Sequence, residues 1–238
     1  MKLKEFMKRK IYKSRYNSES FVESLVRGGG AKIGSGTYFF SPKTAFVDPV
    51  KPFLIQIGEY CKITDNVKIL AHDYSRSVAR YVYGENIGGS RPTIIGNNVF
   101  IGMNSTVLMG TIIGNNVIVG ANSVVSGVFP DNVVIGGNPA KVICSLEEYK
   151  EKRKTRCLDD AVACAKQCYE NIGKYPTIEQ MGDGFAWLYL ARTEETISKY
   201  PQFFYLHGDN TEKVKRDFLN SQSIFNSYGE FIEYVRTH

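Results

Sequence analysis

Acid–base chemistry at neutral pH needs a side chain that can take or give a proton there, and this sequence offers few. Of its three histidines, a single one, His72, stands in the first 206 residues. It ends an aliphatic run in the stretch ILAHDYSRS, residues 69–77. An imidazole, with an unperturbed pKa of about 6.5, suits proton acceptance. The thiols are the rival chemistry: Cys61, Cys144, Cys157, Cys164 and Cys168. Cys164 and Cys168 lie one helical turn apart with Cys157 upstream, whereas a zinc site wants tighter pairs such as two C-x2-C units. They read as packing thiols, and no metal is expected. An odd cysteine count, beside an N-terminus without the apolar core and cleavage site of a secretory signal, points to reduced thiols and a cytoplasmic protein.

The elements that must position His72 have to fit in 238 residues, enough for one large or two small domains. With 43% hydrophobic and 23% charged residues the composition is globular, and no window approaches the roughly 20 apolar residues of a membrane span. The net charge is +6, and seven Lys/Arg stand in the first 16 residues against Glu5 alone. That basic segment, part of a helical leader over 1–29, reads as a solvated helix or as attraction to an anionic inner membrane face. No basic-aromatic motif of a nucleic-acid-binding module is present.

The middle of the chain repeats. Aliphatic residues recur every six positions at Ile57, Ile63 and Ile69, then at Ile95, Ile101, Val107, Ile113, Val119 and Val125. A small or turn-forming residue commonly follows each, as Gly96, Gly102, Gly114 and Gly120 do. Four places on, a second small or aliphatic residue returns: Cys61, Val67, Val99, Ser105, Val117, Ser123. Neither the 3.6 period of a helix nor the 2 of a simple strand fits. Six residues suit a short strand plus a corner, three units make a triangular coil, and IGNNV at 95–99 recurs 18 positions later at 113–117. Stacked coils put Ile95 beside Ile113, and Asn97-Asn98 beside Asn115-Asn116 at a corner whose left-handed backbone asparagine tolerates. The expectation is a mainly β parallel solenoid over 30–143. From Ile69 to Ile95 is 26 residues, no multiple of six, so residues 73–92 must leave the coil as a loop rooted at His72.

The pattern aliphatic-Gly-x-x-small-x resembles the hexapeptide-repeat acyltransferases. The resemblance covers about residues 30–143, and is closest where ILAHDYSRS is followed by IGNNVFIGMNS, VIVGANSVV and GGNPAKVI. Within that family the combination, with VDPVKPFLIQIG at 47–58, is most similar to bacterial polysaccharide O-acetyltransferases; streptogramin and galactoside acetyltransferases are more distant cousins. The resemblance implies a left-handed parallel β-helix, a hand that the right-handed crossover rule would not have suggested. It also implies acetyl-CoA as co-substrate, a homotrimer with sites at subunit clefts, and acetyl transfer to a sugar hydroxyl in surface polysaccharide synthesis.

A lone histidine is commonly structural; its place at the coil–loop junction within the family motif favours catalysis instead. By the resemblance His72 is the general base that deprotonates the acceptor hydroxyl, with neighbouring Asp73 a candidate to orient it. Acetyl-CoA is already activated, so direct transfer without an acyl-enzyme is implied, with coil amides stabilising the oxyanion. Carried over position by position, the donor site falls on Met103, Ala121, Ser126 and Gly127, with Lys141 near a phosphate. Each small residue reads equally as a coil corner. Asp73, Tyr74, Arg76 and Tyr83, with Arg80, Tyr81, Glu85 and Arg91, form a polar and aromatic loop set suited to sugar contacts.

After Ile143 the sixfold period stops, and an α-helical region is expected over 144–238. SLEE at 145–148 reads as a capping box opening a charged helix to about Glu170, TIEQ at 177–180 is a second cap, and an amphipathic stretch runs from Thr211 to about Val235. Tyr189, Tyr200, Tyr205 and His207 are either acceptor contacts or packing residues. Competing functions are a xenobiotic or small-saccharide acetyltransferase, a non-catalytic trimerisation scaffold, and a zinc carbonic anhydrase on the same coil. The last needs three histidines where the coil has one.

Overall fold

The computed structural model describes residues 17–206 and 210–238; the basic segment 1–16 and His207 lie outside them. Two compact units divide the chain, Met1–Tyr149 and Lys150–His238.

The first unit opens with helix α1 (Ser18–Gly29), N-capped by the Asn17 side chain and ended by Gly30 in the left-handed region. Phe21, Val22 and Leu25 on α1 pack against the core, and Ser18 Oγ accepts a hydrogen bond of 2.9 Å from Phe39 N–H. Strands of two or three residues then wind round three walls. Wall A holds β1 (Lys32–Ile33), β4 (Ile55–Ile57), β7 (Thr93–Ile95), β10 (Ile112–Ile113) and β13 (Val128–Phe129). Wall B holds β2 (Tyr38–Phe39), β5 (Lys62–Ile63), β8 (Phe100–Ile101), β11 (Ile118–Val119), β14 (Val133–Gly137) and β15 (Ala140–Ser145). Wall C holds β3 (Phe46–Val47), β6 (Lys68–Ile69), β9 (Thr106–Val107) and β12 (Val124–Val125). Every pairing is parallel except the terminal β14–β15 hairpin.

The sixfold aliphatics point inward as their spacing predicts. Ile63, Ile69, Ile101, Val107, Val119 and Val125 are fully buried, and so are the second slots Cys61, Val99, Ser105 and Ser123. Ile95 pairs with Ile113 across the coils. A Cβ on Gly96 would lie 2.6 Å from the carbonyl oxygen of Gly114, so the close stacking of coils excludes any side chain there.

Corners between walls A and B, and between B and C, are closed by asparagines at positive φ: Asn98 and Asn116 at the first, Asn66, Asn104 and Asn122 at the second. Their amides form ladders, Asn98 Nδ2 donating to Asn116 Oδ1 at 3.0 Å and Asn116 Nδ2 to Asn132 Oδ1 at 2.9 Å. Corners that return from wall C to wall A differ. The lower two carry insertions, residues 48–54 between β3 and β4, with a 3-10 turn over Pro52–Leu54, and residues 70–92 between β6 and β7, whereas the upper two, 108–111 and 126–127, carry none. The second insertion is no plain loop. An isolated antiparallel bridge joins His72 to Ser90, and helix α2 (Arg76–Tyr83) fills the interior, ended by Gly84 at φ 73°. RSVARYVY contains no glycine or proline, so it lacks the strong helix breakers and can close as a helix once its ends are pinned.

In the second unit, α3 (Leu146–Ile172, its first turn still in the first unit) begins at the expected box. Ser145 N–H donates to Glu148 Oε2 at 2.7 Å and Glu148 N–H to Ser145 Oγ at 3.1 Å. Short helices follow: α4 (Ile178–Met181) with its Thr177/Gln180 capping box, α5 (Asp183–Ala186), α6 (Glu194–Lys199), α7 (Thr211–Leu219) and α8 (Tyr228–Thr237). The amphipathic stretch expected from Thr211 to Val235 is thus two helices, split by 220–227, whose Asn and Ser side chains compete for backbone hydrogen bonds. Ala161 and Ala165 of α3, Tyr189, Phe204, Phe218 and Phe231 make an aromatic-rich core. Tyr189 and Tyr200 belong to that core and are packing residues; Tyr205 is exposed. All five cysteines are free thiols, and Cys61 is core.

Candidate active site

Wall C delivers His72. Ile69 is the last inward residue of β6, and His72 stands three residues beyond it, where the chain leaves the coil. The stem is fixed on both sides: Arg91 N–H donates to Ala71 O at 3.0 Å and Thr93 Oγ1 to Leu70 O at 2.6 Å. One coil below, Val47 pairs with Ile69, so the following residue, Asp48, lies beneath the same corner.

Asp48 is fully buried and its carboxylate is saturated. Oδ1 accepts from Val50 N–H at 2.9 Å and Lys51 N–H at 3.1 Å. Oδ2 accepts from Ala71 N–H at 2.9 Å and lies 2.5 Å from His72 Nδ1. Burial pushes its pKa up, but the hydrogen bonds from His72, Ala71, Lys51 and Val50 outweigh that and hold it below the usual carboxylate range. An ionised carboxylate only accepts, so Nδ1 of His72 is the donor to Asp48, and in the neutral ring the lone pair is then on Nε2. The imidazole, 22% exposed, is a fixed ring with its basic nitrogen on the side away from Asp48.

This corrects one expectation. Asp73 does not orient His72: its Oδ1 accepts from Ser75 N–H at 2.9 Å and Ser75 Oγ at 2.6 Å, which with the charge of Arg76 hold its pKa low. Neighbouring residues on an extended chain point apart, whereas parallel stacking sets residues one coil apart side by side. Asp48, Lys51 and Ser90 are the residues that sequence reasoning missed; Lys51 Nζ donates to Ser90 Oγ at 2.8 Å, tying the two insertions together beside His72. A signal existed. Phe39, Val47 and Ile57 are spaced by eight and ten instead of six, so the hexad breaks at Asp48 as it does at His72.

The expected donor residues fall into two groups. Ser126 and Gly127 follow β12 at the C-to-A corner, in the same column as Asp48 and His72 but two coils above His72. Gly127 has φ 109° and open space where a Cβ would be. Met103 and Ala121 stand at the B-to-C corners, on the opposite edge of wall C; Met103 is 49% exposed. Lys141 pairs with Gly136 in the terminal hairpin, above that second edge, where Gly137 N–H reaches Ser123 Oγ at 3.2 Å. Within one chain the width of wall C separates Met103, Ala121 and Lys141 from His72. The open, small positions Ser126 and Gly127 suit a pantetheine arm, and on the second edge Lys141 suits a phosphate. Tyr74, Arg76 and Tyr83 are on the α2 excursion, the two tyrosines exposed and Arg76 half-buried.

Comparison with known proteins follows the same residues. The hexapeptide repeat of succinyl-transferase matches residues 92–126. Protein CapG of Staphylococcus aureus is 48% identical over 130 residues, 55% of this chain and 74% of CapG. The chain belongs to the hexapeptide-repeat acyltransferases. A further relative, provisionally named the lipopolysaccharide biosynthesis O-acetyl transferase WbbJ of Escherichia coli, is 40% identical over 139 residues, 53% of this chain and 71% of that one. A solved hexapeptide-repeat acetyltransferase of Vibrio cholerae aligns with a TM-score of 0.45 at 23% identity, over 58% of this chain and 87% of that one. This family member is an acetyltransferase, which sets aside the scaffold and carbonic anhydrase readings.

Proposed function

We propose that the protein is an acetyl-CoA-dependent O-acetyltransferase that acetylates a sugar hydroxyl in surface polysaccharide synthesis, with His72 as general base. What carries the reading is the buried Asp48 carboxylate 2.5 Å from His72 Nδ1, which leaves Nε2 free to accept a proton. The named role of WbbJ supports the class of acceptor. His72 Nε2 takes the hydroxyl proton as the sugar oxygen attacks the thioester carbonyl; collapse of the tetrahedral intermediate expels the CoA thiolate, which takes that proton from the imidazolium. Asp48 steadies the imidazolium formed between these steps. Coil amides beside the corner would hold the oxyanion, and Met103, Ala121, Ser126, Gly127 and Lys141 the donor.

The reading includes a left-handed coil and a cytoplasmic homotrimer. In a trimer one subunit's His72 edge can meet a neighbour's Met103–Lys141 edge, which would reunite the two donor groups.

The test is thiol release from acetyl-CoA with a panel of hexoses, hexosamines and nucleotide sugars. His72→Ala should lower kcat roughly 10²–10⁴-fold, the usual worth of positioned proton transfer, with little change in KM for acetyl-CoA. A folded His72→Ala protein with near-normal kcat would overturn it.

A further inference from the structure

The α2 excursion carries more than general sugar-binding chemistry. Tyr74, Arg76, Ser77, Arg80 and Tyr81 line a hollow of about 490 Å³. Arg76 and Arg80 are four apart on α2, so their guanidinium groups rise from one face. Neither makes an ion pair with a carboxylate among the described residues. Arg76 Cζ stands 5.1 Å from the centre of the Tyr74 ring, which orients its fork. The nearest acid in sequence, Asp73, is engaged by Ser75 and feels Arg76 only through space. Glu85 lies beyond the end of the helix and lines no part of the hollow. Tyr81 is 93% exposed, an aromatic face left in water.

Two guanidinium groups unmatched by acid, set among tyrosine rings in a concave site, describe a receptor for an oxyanion attached to a flat, partly apolar body. A neutral sugar would satisfy the tyrosines and leave both charges unused. The excursion starts at His72, so the hollow and the candidate base belong to one insertion. We propose that the acceptor is anionic, and that Arg76 and Arg80 bind its carboxylate or phosphate while a neighbouring sugar hydroxyl is acetylated. This rests on the reading of His72 as the base. The two sources of the charge are an acidic sugar in a glycan and the diphosphate of a nucleotide sugar.

The experiment measures binding to protein saturated with CoA, which cannot transfer acetyl and whose nucleotide site is filled. Isothermal titration uses three probes: trigalacturonate, UDP-galactose and the neutral galactotriose. One charged probe should bind at least about tenfold tighter than galactotriose, and Arg76→Gln with Arg80→Gln should erase that preference while leaving CoA affinity unchanged. Preference for trigalacturonate names an acidic glycan, and preference for UDP-galactose a nucleotide sugar. Charge-keeping Arg80→Lys should retain part of it. The proposal is overturned if neither charged probe outbinds galactotriose, or if the double glutamine variant, folded by circular dichroism, keeps the preference. Binding to vesicles of anionic lipid with no preference among the soluble probes would overturn it too. Failure of the general-base reading shows separately, as normal turnover in His72→Ala with the binding preference intact.

Discussion

The first corner of the coil and the third solve the same geometric problem with opposite consequences. At the A-to-B corner the upper three coils each turn at an asparagine with positive φ, and Asn98, Asn116 and Asn132 bond to one another in a ladder. There the asparagine amides are spent on one another. At the C-to-A corner the lower coils break the repeat, and the insertions bring in a carboxylate, an imidazole, a lysine and a serine from segments up to 42 residues apart in sequence (Asp48 to Ser90). Regularity builds the rigid frame, and the interruption of regularity holds the reactive groups against it. The frame matters because His72 is held by stacking: its partner is one coil away, so register errors anywhere in wall C would separate them.

The largest effect should come from breaking the frame. Gly96→Val puts carbon where the Gly114 carbonyl already sits, 2.6 Å from the new Cβ, and should cost at least about 4 kcal/mol, seen as loss of the cooperative urea transition. Breaking one rung of the inert corner should do less. Asn116→Ala loses both ladder bonds and forces alanine into φ 56°, at a cost of about 1–3 kcal/mol, while kcat of the folded protein stays unchanged. A change in kcat at Asn116 would erase the distinction between the corners.

A finer probe is the charge at the third corner. The Asp48 pKa is lowered on folding, so ionised Asp48 contributes stability that is present above the unfolded carboxyl pKa of about 3.9 and is lost as pH falls through the lower folded value. Wild type should therefore exceed Asp48→Asn in stability at neutral pH, and the gap should narrow only below about pH 4. Denaturation across pH 2–7 checks this; a gap that does not vary with pH would mean that Asp48 is not a buried anion.

The frame was legible in the sequence because a period of six repeats often enough to overdetermine it: knobs, second slots and asparagine corners all agree. His72 was legible as the one histidine at a break in that period. Asp48 was not, since its link to His72 runs across coils, and the coil holding it has spacings of eight and ten that hide its phase. Helix α2 was hidden for a different reason. Its eight residues set Arg76 and Arg80 on one face and Val78 and Val82 on another but bury neither, and so short a stretch cannot be told from a loop without a core to pack against. The separation of Met103 from Ser126 across wall C likewise needs the coil phase of each residue, which motif matching leaves out.

The central claim is that Asp48 acts on the reaction through His72, and a double-mutant cycle in kcat tests it most directly. With the best acceptor of the panel, Asp48→Asn alone should lower kcat about 10–100-fold, the usual loss when the partner that orients a functional histidine is removed. In the His72→Ala background the same substitution should cost nothing further, because the ring it orients is gone. Losses that multiply in the double variant would contradict the account, since Asp48 would then act on the reaction independently of His72.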